Sequence, residues 1–269
     1  MTQLGFCSIA ALDRPLADAA RVAADCGLDG LEVTGRAPHL EDDTPLEAVR
    51  DAGRAVRDAG LEVLAYGSYR GHGAARDEAA VQREVSRAVA LGAPLLRVWA
   101  EVDLEAADRG FAAQVKLLQA TCDAAREHGI GVVVERHVGS FADTPERIER
   151  LFEAVARDEL ALNYQVLDFL PAERVAAQPD DARRLVPLAR YLHLKNYQPN
   201  PQPGGPLAPG GSLEGGVLDY RALLGAVFEA GYDGPMTIEF VSWEPRPLEE
   251  KLAADVAYLR ALLSQLGRG

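Results

Sequence analysis

Four short apolar runs in this sequence end in groups that can exchange protons or ligate a cation. Gly131-Val-Val-Val-Glu135-Arg-His137 closes on a carboxylate and an imidazole two residues apart, so on an extended strand both point to one face. Leu160-Ala-Leu-Asn-Tyr-Gln165 ends in an amide, with Asp168 just beyond it. Tyr191-Leu-His193-Leu-Lys195 carries an imidazole and an ammonium at the same spacing, and Met236-Thr-Ile-Glu239 ends in a second carboxylate. Brought to a common centre, two carboxylates, an amide oxygen and an imidazole can ligate a divalent cation, and the set suits Mn²⁺, Mg²⁺, Co²⁺ or Zn²⁺ without choosing between them. Taken singly, each residue is equally well a solvated strand end, or an acid salt-bridged to Lys195 or Arg136. Their recurrence argues for a site.

The elements that must position these groups follow a repeating order of helix, glycine, short apolar strand and polar loop. Ala23 to Thr34, Asp58 to Ala65, Glu127 to Val134 and Glu229 to Glu239 all show it, each with a glycine (Gly27, Gly60, Gly129, Gly231) placed to end a helix in a left-handed conformation. Strands are expected at Leu4 to Ile9, Leu31 to Thr34, Val63 to Gly67, Leu95 to Ala100, Val132 to His137, Leu160 to Gln165, Tyr191 to Lys195 and Met236 to Phe240. Amphipathic helical patterns lie between them. Two of these open on Thr-Pro, with Thr44 and Thr144 as N-caps and Pro45 and Pro145 in the first turn. Eight parallel strands joined by helices close a barrel and gather every strand's carboxyl end on one rim. The fold class is therefore α/β, a (β/α)8 TIM barrel, as a single domain over residues 1–269. One segment breaks the rhythm: Asn196 to Gly216 holds Pro199, Pro201, Pro203, Pro206 and Pro209 among glycines, and reads as a long loop beside the site. It is either a surface excursion or a cover over the mouth.

Composition narrows the function. The length of 269 residues suits one barrel of ~250 residues. With 48% hydrophobic and 26% charged residues the composition is that of an ordinary globular chain. A formal charge of -13 without any basic run disfavours a nucleic-acid partner. No apolar stretch approaches the ~18 residues a membrane span needs, and the amino terminus lacks a signal-like pattern. Cys7, Cys26 and Cys122 are scattered and odd in number, as expected for reduced thiols of a cytoplasmic protein.

With these segments in view, the sequence resembles the xylose-isomerase-like TIM barrels, a family that includes sugar epimerases and isomerases, inosose dehydratases and apurinic-site endonucleases. The resemblance covers nearly the whole chain and is carried by Val133-Val-Glu135-Arg-His137, Leu160 to Asp168, Tyr191-Leu-His193-Leu-Lys-Asn196, and Glu214 to Tyr220 leading to Ala230 to Phe240. It implies a cation held by Glu135, Gln165, His193 and Glu239. Three positions depart from the family pattern: Gln165 stands where Asp is usual, Asp168 where a His often follows, and Asn196 where Asp commonly follows the Lys. Gln165 offers a carbonyl oxygen without a negative charge, and so a weaker hold on the cation.

The resemblance implies a metal-dependent isomerase or epimerase of a small sugar, polyol or related ketone. In it the cation polarises a carbonyl and its neighbouring hydroxyl, and Glu135 and Glu239 act as proton-transfer groups through an enediolate. Around them His137, Asp168 and Lys195 are candidates for substrate contact, with orienting Glu135 or filling the core as the other roles open to His137 and pairing with Asp168 as the other open to Lys195, and Arg97 shares a strand face with Trp99. Trp99 and Tyr66 offer an apolar wall for sugar C–H faces. A buried ion pair is the competing role for Arg97, and core packing for the aromatics. His39, His72 and His128 show no such alignment. A dehydratase or lyase on the same scaffold is the nearest alternative, and a barrel that has lost catalysis and binds a ligand as an accessory subunit is another. A repair endonuclease would need more than the five histidines present, and a basic groove. The partner expected is a small carbohydrate-like molecule, with self-association into a homo-oligomer left open.

Overall fold

The computed structural model of the protein describes residues 2–69, 78–100, 107–199 and 206–269. Eight parallel strands close into a barrel: β1 (Leu4–Cys7), β2 (Gly30–Thr34), β3 (Glu62–Gly67), β4 (Leu95–Val98), β5 (Gly131–Glu135), β6 (Leu160–Tyr164), β7 (Ala189–Leu194) and β10 (Met236–Ile238). Each strand pairs with its chain-order neighbour, and β10 closes the ring between β7 and β1. Helices α1 (Leu16–Asp25), α2 (Leu46–Asp58), α3 (Glu78–Leu91), α4 (Ala107–Arg126), α5 (Pro145–Val155), α6 (Gln178–Leu185), α7 (Tyr220–Glu229) and α8 (Leu248–Gln265) alternate with them. The strands are buried on both faces, which is why they read as near-continuous apolar runs.

The expected capping glycines Gly27, Gly60, Gly129 and Gly231 take φ of +75, +84, +68 and +88, a region costly to any residue with a Cβ. Thr144 caps α5 as expected, its side chain accepting from the backbone N–H of Arg147, with Pro145 in the first turn. Thr44 does not cap α2. Its hydroxyl accepts from Glu41 N–H at 2.8 Å in the preceding turn, and the helix starts one residue later, after Pro45.

The segment from Asn196 is more ordered than its prolines suggest. β8 (Asn196–Gln198) and β9 (Ala208–Gly211) form an antiparallel ribbon, while the intervening residues 200–205 lie outside the described residues. Asn196 latches the ribbon to the turn after β9: its amide donates to the carbonyls of Leu213 and Leu218, and its oxygen accepts from Tyr197 and Leu218 N–H. These four bonds need an amide with a donor end and an acceptor end, which an aspartate at this position would lack.

Two apolar layers hold the frame. The larger lies between barrel and helices. Inside the barrel Leu64, Ala65, Val133, Ala161 and Tyr191 form a small plug, and the polar residues one pleat further along the strands rest on it. Among the described residues no helix is long and apolar enough to cross a membrane, and all three cysteines are free.

Candidate active site

The carboxyl ends of the strands deliver a continuous chain of alternating charges. Asp168 lies 3.0 Å from Nζ of Lys195, which lies 2.8 Å from Oε2 of Glu239. Glu239 Oε1 faces Nδ1 of His193 at 3.5 Å, and the far nitrogen, Nε2, meets Oε2 of Glu32 at 2.6 Å. The other oxygen of Glu32 accepts Nε–H of Arg97 at 2.7 Å, and Nη1 of Arg97 reaches Oε2 of Glu135. Gln165 ends the chain, its amide nitrogen donating to Glu135 Oε1 at 2.9 Å and to the carbonyl of Arg136 at 2.7 Å. Apart from Asp168, whose side chain is partly exposed, every member is buried.

Burial opposes charge on every one of these groups, and their partners reverse it. Burial would raise the carboxyl of Glu32, but the charges of His193 and Arg97 and the hydrogen bonds to them hold it down at about 2. Burial likewise disfavours a proton on His193, yet Glu32 and Glu239 push the imidazole up to about 9. For Glu239 and Lys195 the outcome is the same. Against the desolvation each suffers, Lys195 and His193 hold Glu239 well below the usual carboxylate range, and Glu239 and Asp168 hold Lys195 above the usual lysine value.

Of the residues singled out in the sequence, Glu135, Gln165, His193, Glu239, Lys195, Asp168 and Arg97 come together in this chain. Arg97 makes the buried ion pairs that were its competing role, and in doing so touches the site itself. Trp99 and His137 stand beside them just past β4 and β5. Their rings meet with centroids 4.2 Å apart at a tilt of 57°, and Arg97 lies 5.9 Å from the Trp99 ring. His137 sits beyond the end of β5, not within a strand, so strand alternation does not orient it; its Nδ1 is 2.9 Å from the carbonyl of Val138.

Tyr66 does not join the site. Its hydroxyl donates to Glu84 of α3 at 3.0 Å, on the outer side of the barrel. The β2–β3 register slips between Leu31 and Glu32, which pairs Leu31 with Val63 but Glu32 with Ala65. That bulge at Leu64 reverses the facing of the rest of β3. Tyr66 turns out and Gly67 turns in, where a Cβ would sit 2.5 Å from Arg97 Nη2 and 2.7 Å from Glu32 Oε1. The absent side chain makes room for the Arg97–Glu32 pair. His39 bonds Ser8 and the Arg14 carbonyl away from the site, and His72 lies outside the described residues.

Glu32 is the residue that reading only the last four strands misses. It is a lone acid inside the apolar run Leu31-Glu32-Val33, the same signal that marks Glu135. Cys7 and Asn163 also lie here. Cys7 forms a cluster with Glu32 and His193. The Asn163 amide nitrogen is 3.3 Å from both ring nitrogens of His193, a distance that places it over the ring face and not in its plane.

The donors fit a divalent cation. One ligand atom each of Glu135, His193 and Glu239 lie within 4.8 Å of one another. Both partners of the Gln165 amide nitrogen are acceptors, which fixes the amide's orientation. Its buried Oε1 then has no hydrogen-bond partner among the described residues, at a cost of about 1–3 kcal/mol that a cation would remove. Charge agrees: the carboxylates of Asp168, Glu239, Glu32 and Glu135 outnumber Lys195, Arg97 and a protonated His193 by one, and by two once a cation takes the place of the proton on His193.

Comparison with known proteins extends these observations. A family model described as xylose isomerase-like TIM barrel matches residues 20–262. No curated protein matches the chain significantly. Among solved structures, a xylose isomerase-like TIM barrel protein from Mycobacterium smegmatis in complex with magnesium is 17% identical with a TM-score of 0.72, covering 98% of this chain and 96% of its own. The probable 3-DHS dehydratase AsbF from Bacillus anthracis is 19% identical with a TM-score of 0.73, covering 96% and 99%. D-allulose 3-epimerase from Methylomonas sp. is 17% identical with a TM-score of 0.73, covering 97% and 98%.

Proposed function

The chain belongs to the xylose isomerase-like TIM barrel family, and from that premise we propose that it is a metal-dependent isomerase or epimerase of a small sugar, polyol or related ketone. The observation that carries this reading is the convergence of Glu135, His193 and Glu239 on one point at the carboxyl rim of the barrel. Glu135, Gln165, His193 and Glu239 would hold the cation. When bound, it supplies the Lewis acidity that makes the C–H beside a carbonyl easier to ionise. A magnesium-bound structural neighbour and the epimerase fold-mate support that assignment.

The chain's own residues then divide the work. One glutamate takes the proton from carbon, the C–H electron pair becomes the C=C of an enediolate, and the carbonyl oxygen gains the charge. The other returns a proton to the opposite face for epimerisation, or to the adjacent carbon for isomerisation. Lys195, held between Glu239 and Asp168, sets a positive charge beside the developing oxyanion. Arg97 keeps Glu135 oriented. Trp99 and His137, tilted at 57° to one another, offer aromatic surface against which a C–H face can rest. Free cysteines suit a cytoplasmic setting.

A dehydratase shares the first half of this sequence, since loss of a β-hydroxyl follows the same proton abstraction, and the AsbF likeness favours keeping it as the second reading. Incubation with a panel of ketoses and ketopolyols in D2O with Mn²⁺, followed by NMR, separates the two. Carbon-bound deuterium in an isomer or epimer is the expected result, and an enone product marks the dehydratase. Glu239→Gln should abolish the exchange while leaving the fold intact. Undiminished exchange in that variant would rule out the two-glutamate scheme.

A further inference from the structure

The fold gives the two ring nitrogens of His193 different neighbours. Nε2 lies 2.6 Å from Glu32 Oε2, whereas Nδ1 faces the side where Glu239 and Glu135 converge. Glu32 is held in place from behind, because its second oxygen accepts Nε–H of Arg97 at 2.7 Å, and Arg97 also binds Glu135. The ring's plane is fixed as well. Tyr191 packs edge-on at 5.5 Å, and the Asn163 amide lies over one face. A neutral imidazole that gives its one N–H to a carboxylate keeps its lone pair on the other nitrogen, and carboxylates in that position orient and strengthen metal-bound histidines.

We propose that Glu32 is the positioning residue of the cation site: it accepts Nε2–H of His193 and thereby presents Nδ1 as the ligand atom between Glu135 and Glu239. Arg97 ties this carboxylate and Glu135 into one frame, so the orientation of one ligand and the placing of another share a single guanidinium. This rests on the reading of Glu135, His193 and Glu239 as donors to a cation.

The isosteric change Glu32→Gln has an effect that shape alone would not produce. Arg97 only donates, so it claims the new amide's oxygen and turns the NH2 toward Nε2. A donor there requires a lone pair on Nε2, and the ring proton moves to Nδ1. The ligand nitrogen is then blocked with no side-chain volume lost. Affinity for Mn²⁺, measured calorimetrically on the full chain, should fall about 10–100-fold.

The wild-type protein supplies a test that does not depend on a variant folding. With ¹⁵N-histidine label and Zn²⁺ as a diamagnetic probe, the His193 signal, identified by its loss in His193→Gln, should keep its Nε2-bound proton while Nδ1 shifts on cation binding. In Glu32→Gln the Nε2 proton should be absent. A Zn²⁺-induced shift at Nε2 in place of Nδ1, or wild-type Mn²⁺ affinity in a folded Glu32→Gln, overturns the proposal and leaves the metal reading standing. A loss of affinity in Cys7→Ser as large as that in Glu32→Gln also overturns it, since the cation would then sit at Cys7, Glu32 and His193 with Glu32 as a ligand. A folded wild-type protein that shows no cation-dependent change refutes the metal reading and this inference with it.

Discussion

Replacing Arg97 by Met removes one buried cation and should strand one acid in particular. Glu32 keeps His193 at 2.6 Å, whereas the side-chain hydrogen bond left to Glu135 is from the neutral amide of Gln165 at 2.9 Å. Leaving a charge unpaired inside a protein costs about 3–5 kcal/mol. For a chain of 269 residues, at about 2 °C per kcal/mol, the expected loss is roughly 6–10 °C. In the wild type, Glu32 holds its proton only below about 2, so the stability it contributes is present above its unfolded value near ~4.3 and does not change from pH 7 to 5. Thermal unfolding at pH 7 followed by circular dichroism, with chelator present, measures the loss. Melting temperatures that coincide would refute the account of Arg97 as the cation that compensates Glu32 and Glu135.

Asp255 of α8 accepts Leu213 N–H at 2.9 Å, and burial, opposed by that bond, pushes its carboxyl up to about 6. Stability from this group is therefore greatest below its unfolded value of ~3.9 and declines by up to about 3 kcal/mol as pH rises through 6. Asp255→Asn should remove that decline, seen as a melting-temperature difference that moves in the variant's favour between pH 4 and pH 7. Gln165→Glu sets a carboxylate where an amide now donates to Glu135; it should lower the melting temperature without cation and enlarge the upward shift on adding Mn²⁺, relative to wild type. Gly210 has φ +94, and a Cβ there would lie 2.3 Å from the Trp243 ring, so Gly210→Ala should destabilise the chain by about 1–3 kcal/mol and change Trp243 fluorescence.

Much of this architecture was legible in the residues. The apolar runs between glycine caps place all eight barrel strands within a few positions, because a strand buried on both faces has no other way to read. Glu135, His193 and Glu239 were legible for the same reason: a polar residue at the end of such a run has nowhere to point but the rim. The pairing of Arg97 with Glu32 was not, since it joins strands that are not adjacent in the barrel and depends on Gly67 being empty. Tyr66 takes the core role and not that of a site wall because one bulge at Leu64 inverts alternation, and a bulge leaves no mark in composition. The β8–β9 ribbon was hidden by its prolines. Its order comes from Asn196 and from contacts across the chain, not from any local period.

The file of buried charges from Asp168 to Glu135 also constrains how this protein can vary. A lone substitution in it removes one of the charges that compensate its neighbours, so charge-reversing changes are tolerated best as matched pairs. Double replacements such as Arg97 with Glu32, or Lys195 with Asp168, should cost far less than the sum of their halves. Divergence to a new substrate on this scaffold is then easiest at the aromatic pair of Trp99 and His137, which stands outside the file of ion pairs.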